Sequence, residues 1–182
     1  MSGKELIEKA KAFAEKVHAG QTRKNKAKTP AITHMAEVAA LVAVAGGSPE
    51  EIAAAWLHDT VEDSKPNITI QQIKAEFGEE IANIVDGLTD LPEFKRIPLL
   101  RRKMLQAWRV QSEDCSVQLV KIADQISNVR SIVHDPPVKW NREKCIAYAA
   151  GAMLIVHQCA RASTPLYFKF QDVYSDVIAL YL

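Results

Sequence analysis

Apolar residues recur every three to four positions along most of the chain, the period of helices that bury one face. The first run, Leu6, Ile7, Ala10, Phe13, Ala14 and Val17, follows the capping box Ser2-x-x-Glu5 and stops before Gly20. Thr29-Pro30 is expected to open a second helix running to Gly46-Gly47, with proline at a tolerated first-turn position. Ser48-Pro49-Glu50-Glu51 joins cap, proline and box glutamate ahead of IAAAWLHDTVED, read as one helix. Thr69 caps IQQIKAEF, and Gly78 parts it from EEIANIVDGL. Further helices are expected over 98–110, 114–133, 141–160 and 164–182. SVQLVKIA alone could pass for a buried strand, but its continuation through DQISNVRSIV favours a long amphipathic helix. No period-two run is strong enough for a sheet, so the pattern predicts an all-α, compact multi-helix bundle.

Composition narrows the picture without identifying it. The 182 residues are 48% hydrophobic and 25% charged, ordinary globular values, and one domain over 1–182 is expected. Twenty-three Lys+Arg against 22 Asp+Glu give a net charge of +1, which excludes a global pull toward nucleic acid or an anionic membrane. Cys115, Cys145 and Cys159 form no C-x-x-C, favouring neither a disulfide framework nor a cysteine zinc site. The most apolar stretch, CIAYAAGAMLIVHQCA over 145–160, is shorter than the ~20 residues of a membrane span and carries His157 and Gln158. It reads as a core helix. The N-terminus carries no signal-like apolar region, so a cytoplasmic setting with reduced thiols is expected.

Candidate chemistry begins with His58-Asp59 inside the apolar run AAAWLHDTVED. A buried Asp beside a His is costly unless paired or bound to a metal. On a continuous helix Glu62 and Asp63 follow one turn after His58 and Asp59. His34, in PAITHMAEVAALVAV, and Asp124, in LVKIADQISNVRSI, also stand among apolar neighbours. Singly, each suits a hydrogen-bonded core residue. Together, two imidazoles and two carboxylates can hold one divalent ion with water positions left open.

The order H…HD…D resembles the signature of the HD metal-dependent phosphohydrolases. The surrounding text is similar to the hydrolase domain of the RelA/SpoT alarmone enzymes, through His18-Ala19-Gly20-Gln21-Thr22-Arg23-Lys24, Pro30-Ala31-Ile32-Thr33-His34, Leu57-His58-Asp59-Thr60-Val61-Glu62-Asp63, FGEEIANIVDGLT and KIADQISNVR. The likeness spans about residues 4–160. The chain ends at Leu182, leaving no room for the synthetase and regulatory regions of long members, so a stand-alone small alarmone hydrolase is expected. The resemblance implies removal of the 3′-pyrophosphate from (p)ppGpp. It implies His34, His58, Asp59 and Asp124 as ligands of one Mn²⁺, and Glu62 and Asp63 as the acidic pair that positions or deprotonates water. Arg23, Lys24, Asn128 and Ser131 match substrate contacts, and a guanidinium suits bidentate phosphate binding.

Two departures bear on base recognition: Ala31 stands where the family has Tyr, and the loop from Arg23 to His34 is longer than in many relatives. Adenine alarmones therefore join the candidate substrates. Met35 replaces the usual Pro, an effect expected on helix packing. His18 reads as a packing or supporting residue, and His134 and His157 as structural. The Arg101-Arg102-Lys103 cluster reads as the coat of a helix or a partner contact. The expected partner is a small nucleotide, without nucleic acid or membrane, and a homo-oligomer stays open. The alternatives are another HD-type nucleotide phosphatase, for example acting on NADPH, and a non-catalytic helical module. The Glu62-Asp63 pair speaks against the last.

Overall fold

The computed structural model describes residues 1–63 and 68–182, with only the backbone of Asp63. Helix starts follow the local chemistry. The side chains of Ser2, Ser48 and Thr69 each accept from the backbone N–H three residues on, and Glu5, Glu51 and Gln72 reciprocate, closing three capping boxes. They open α1 (Gly3–Val17), α3 (Pro49–Leu57) and α5 (Ile70–Phe77). Between them lie α2 (Ile32–Val44) and α4 (Thr60–Asp63). Gly78, at φ +94°, turns α5 directly into α6 (Glu79–Leu88), a conformation open chiefly to glycine. A 3-10 turn (Pro92–Arg96) leads into α7 (Leu99–Val110), α8 (Cys115–His134), α9 (Arg142–Gln158) and α10 (Thr164–Tyr181).

The all-α class is as expected, and among the described residues only two isolated bridges depart from it, Thr22 with Pro30 and Asn25 with Pro137. The first shortens α2. Arg23 N–H donates to the Thr29 carbonyl at 2.8 Å and Ala31 N–H to that of Gln21 at 2.9 Å. Residues 29–31 thus close a loop, and the helix begins at Ile32. A second departure interrupts the run after Ser48. His58 Nδ1 bonds the Ala55 carbonyl at 2.7 Å and Thr60 Oγ donates to that of Leu57 at 2.6 Å. Side chains thereby occupy carbonyls that a continuing helix would pair with backbone, and α3 stops before His58.

Packing sets α8 at the centre. It touches α2, α3, α6, α9 and α10, so most of its circumference is buried. Ile122, Ile126, Val129 and Ile132 join Val38, Leu57, Val85, Ile155 and Phe170 in one contiguous core. α9 runs through that core as expected, burying Cys145, Ala149, Gly151, Ala152, Ile155 and Val156. Among the described residues no helix is long and apolar enough to cross a membrane. The same α8 also buries Asp124 and Ser127, turned toward α2 and the α3–α4 break, and Gln125, turned toward α7.

Candidate metal centre and nucleotide cavity

His34 from α2, His58 and Asp59 from the break, and Asp124 from α8 meet at one point. His34 Nε2 and His58 Nε2 are 3.2 Å apart. Asp124 Oδ1 lies 3.3 Å from the first and 3.9 Å from the second. Asp59 presents Oδ1 3.4 Å from His58 Nε2 and Oδ2 3.8 Å from His34 Nε2. His34, His58 and Asp59 alone bring one donor atom each within 4.8 Å of one another.

Tautomers decide what these atoms can hold. His58 Nδ1 faces a carbonyl, which only accepts, so it must carry the ring proton. His34 Nδ1 lies 2.8 Å from Ser127 Oγ, whose own proton goes to Glu37 Oε2 at 2.6 Å. The hydroxyl therefore accepts from His34 Nδ1–H. Both neutral rings turn bare Nε2 lone pairs toward one another, a repulsive arrangement that a shared cation resolves. Adjacent ligands on ~2.1 Å bonds stand roughly 3 Å apart, close to the separations here. The donor set fits a divalent ion: His34, His58 and Asp59 form the compact group, and Asp124 could complete it.

Supports behind the four are specific, and buried or half-buried. Arg130 pairs with Glu37, extending the chain behind His34. Asp124 Oδ2 accepts from Gln125 Nε2 at 2.7 Å, and Oδ1 from Asn128 Nδ2 at 2.5 Å. Burial opposes ionisation of Asp124, and the ammonium of Lys121, 3.7 Å from Oδ2, favours it. Burial likewise opposes the Lys121 charge, yet Asp124 and Asp90 hold it above the usual lysine value.

Lys103 and Arg102 correct the expectation of a basic coat on α7. Lys103 is 3% exposed, donates to Gln125 Oε1 at 2.8 Å, and sits 4.1 Å from the centroid of the Tyr148 ring. Burial pushes its ammonium down to about 7, against the pull of Asp124. Arg102 is half-buried in the wall of a cavity, and only Arg101 is exposed as the cluster predicted. A basic triplet on a helix spreads its members over ~200° of arc, so one pattern can serve surface, wall and interior.

The cavity, about 640 Å³, reaches His34 and Asp59 and is lined by Arg23, Lys24, Asn128 and Ser131, all four of the expected substrate contacts. Arg23 donates to Asn128 Oδ1 at 2.8 Å and to Ser131 Oγ at 3.3 Å. Trp140 and Tyr148, with ring centroids 5.0 Å apart, add an aromatic wall that no motif signalled. Ala31 and Met35 also line it, so the proline replacement touches the cavity as well as packing. His18 lines it too, with Nδ1 2.8 Å from Gln21 Oε1. Glu62 lies outside that wall. Its Oε2 accepts from Asp90 N–H at 3.3 Å, and burial, with Asp90 and Asp59, pushes its carboxyl up to about 7. The side chain of Asp63 falls outside the described residues. His134 and His157 stand away from the centre, His157 3.2 Å from the Tyr167 hydroxyl.

A histidine–aspartate centre on an all-α scaffold places the chain in a class, and comparison agrees: the HD domain matches residues 10–152, and the chain belongs to the HD-domain family. It is 34% identical over 173 residues to the guanosine-3′,5′-bis(diphosphate) 3′-pyrophosphohydrolase MESH1 of Xenopus tropicalis, covering 94% of each chain. It is 32% identical to the human MESH1, over 84% of this chain and 83% of that one. Its fold superposes with a TM-score of 0.84 on a metazoan ortholog of SpoT described as hydrolysing ppGpp and acting in starvation responses, at 25% identity over 93% and 94% of the two chains.

Proposed function

We propose that this chain is a Mn²⁺-dependent guanosine-3′,5′-bis(diphosphate) 3′-pyrophosphohydrolase, acting as a single HD hydrolase domain over residues 1–182 in the cytoplasm. One observation carries the reading: two bare imidazole nitrogens converge with two carboxylates at a cavity lined by Arg23, Lys24, Asn128 and Ser131. The relatives are named for the same reaction. When bound, a divalent ion would lower the pKa of a water on it and offset charge on the scissile phosphate.

The chain's own residues do the rest. Ser127 and the Ala55 carbonyl fix both imidazoles with Nε2 facing inward. Asn128 ties the two halves of the site, donating to Asp124 while accepting from Arg23. Arg23 is thereby oriented to grip the 3′-diphosphate as water displaces it, leaving GDP and pyrophosphate from ppGpp. Glu62, titrating near 7, can accept the water's proton at neutral pH, and Asp63 is assigned beside it as its acidic partner.

The test is product analysis on metal-replete protein given ppGpp, ppApp, NADPH and deoxynucleotides. Pyrophosphate release from ppGpp or ppApp, abolished in Asp59→Ala and strongly reduced in Glu62→Ala, is expected. Orthophosphate from NADPH alone, or no turnover with the centre filled, would overturn the proposal.

A further inference from the structure

Arg102 is the half-buried cation of this cavity that the reaction above leaves unused. It stands half-buried on α7 and lines the cavity with Tyr148, and its side chain makes no hydrogen bond or ion pair with any described residue. The other buried or half-buried arginines are held: Arg23 by Asn128 and Ser131, Arg109 by the Thr89 and Asp86 carbonyls, Arg130 by Glu37. Nor do the cavity's two carboxylates answer it. Asp59 faces the imidazoles, and Asp135 accepts from the backbone N–H groups of Lys26 and Ala27 at 3.2 and 3.1 Å. A guanidinium stripped of part of its water and given no counter-charge is a poor structural element but a prepared anion receptor.

Its location says which anion. Arg23 is bonded into the metal side through Asn128, which itself donates to Asp124. Arg102 arrives on a different helix, whose register is fixed by its neighbour Lys103, anchored on Gln125 and against Tyr148. The cavity therefore offers cationic points on separate elements, Arg23 beside Lys24 on the loop before α2 and Arg102 on α7, the first joined to the reacting centre and the second not. Such a site suits a ligand with two separate anionic groups. We propose that Arg102 reads the arm of the substrate that is not cleaved: its guanidinium takes the 5′-diphosphate of a nucleoside 3′,5′-bis(diphosphate), and so sets the preference for doubly phosphorylated nucleotides.

This rests on the hydrolase reading, but its test separates the two. Steady-state kinetics compare guanosine 3′,5′-bis(diphosphate) with guanosine 3′-diphosphate, in the Mn²⁺-loaded protein and in Arg102→Gln. Loss of a bidentate, charge-assisted contact is expected to raise KM for the first substrate roughly 10- to 100-fold, with kcat nearly unchanged, and to leave the second within about twofold. Arg102→Lys, which keeps charge but not the fork, falls between and guards against a folding defect in the Gln variant. Equal losses on both substrates, or none, overturn the proposal. A binding arm needs no turnover: calorimetry with guanosine 5′-diphosphate should show the same 10- to 100-fold weakening, and guanosine none. Turnover absent but this weakening present would reject the hydrolase reading and keep the Arg102 assignment. Guanosine 5′-diphosphate bound equally by both proteins, or by neither, rejects the assignment.

Discussion

Replacing Lys103 by Met should favour the metal-free protein more at pH 7 than at pH 9. An ordinary lysine titrates near 10.5, whereas burial brings Lys103 to about 7. Between those values the unfolded chain binds the proton and the folded one sheds it, so wild-type stability rises with pH. At pH 7 the mismatch costs about 4 kcal/mol, at ~1.4 kcal/mol per tenfold in proton affinity. By pH 9 about 2 kcal/mol of that is recovered. Methionine removes the mismatch altogether with a similar unbranched shape. It also forfeits the Nζ–H bond to Gln125, which leaves a buried amide oxygen unpaired at roughly 1–3 kcal/mol, and the contact with the Tyr148 ring, about 0.5–2 kcal/mol. The ring contact counts only while the amine is charged, so the balance shifts against the variant by about 2 kcal/mol between pH 7 and pH 9. Asp124 and Asp90 pull the lysine pKa up while Lys121 and Arg102 push it down, and all four are common to both proteins. Urea unfolding of chelator-treated protein at both pH values measures the difference. A stability difference between the two proteins that does not change with pH would refute the burial argument.

Three further substitutions probe other parts of the site. Ser127→Ala strips the acceptor from His34 Nδ1 and should weaken divalent-ion affinity by about 10- to 100-fold in a metal titration, with helicity unchanged. Glu62→Gln should lower kcat by about 10²–10⁴ while the ion still binds. The wild-type rate should rise with pH through the Glu62 titration, at or below about 7 once a cation is bound, and the variant should lose that limb. Gly151→Ala places a methyl 2.6 Å from Lys103 Cγ, and this overpacking should lower stability by about 1–3 kcal/mol in thermal unfolding.

Much of this molecule is legible in its sequence, because helix starts are local events. Ser2, Ser48 and Thr69 announce their capping boxes within four residues, and the structure forms all three. The four donors around the metal centre were legible for a different reason: charged groups in apolar runs demand an explanation. What escaped depends on contacts across the chain. The stop before His58 follows from a ring and a hydroxyl taking backbone carbonyls, an event invisible to periodicity. Ser127 and Glu37 are common residue types whose meaning appears only when α8 meets α2, 93 residues apart at His34. Trp140 and Tyr148 lie on an apolar pattern that core packing would also produce.

The break before His58 has a geometric consequence. Neighbouring residues of a helix diverge by about 100°, yet His58 and Asp59, just past the end of α3, both turn to one point. Consecutive side chains there act as a two-toothed clasp, while His34 and Asp124 close it from chain segments 24 residues before and 65 after the dipeptide. A cation seated there fastens three distant stretches of chain, much as a cross-link would. Metal loading should therefore act as a staple on the tertiary structure, raising the melting temperature with ion concentration, and the centre can assemble only after α2, α3 and α8 have docked.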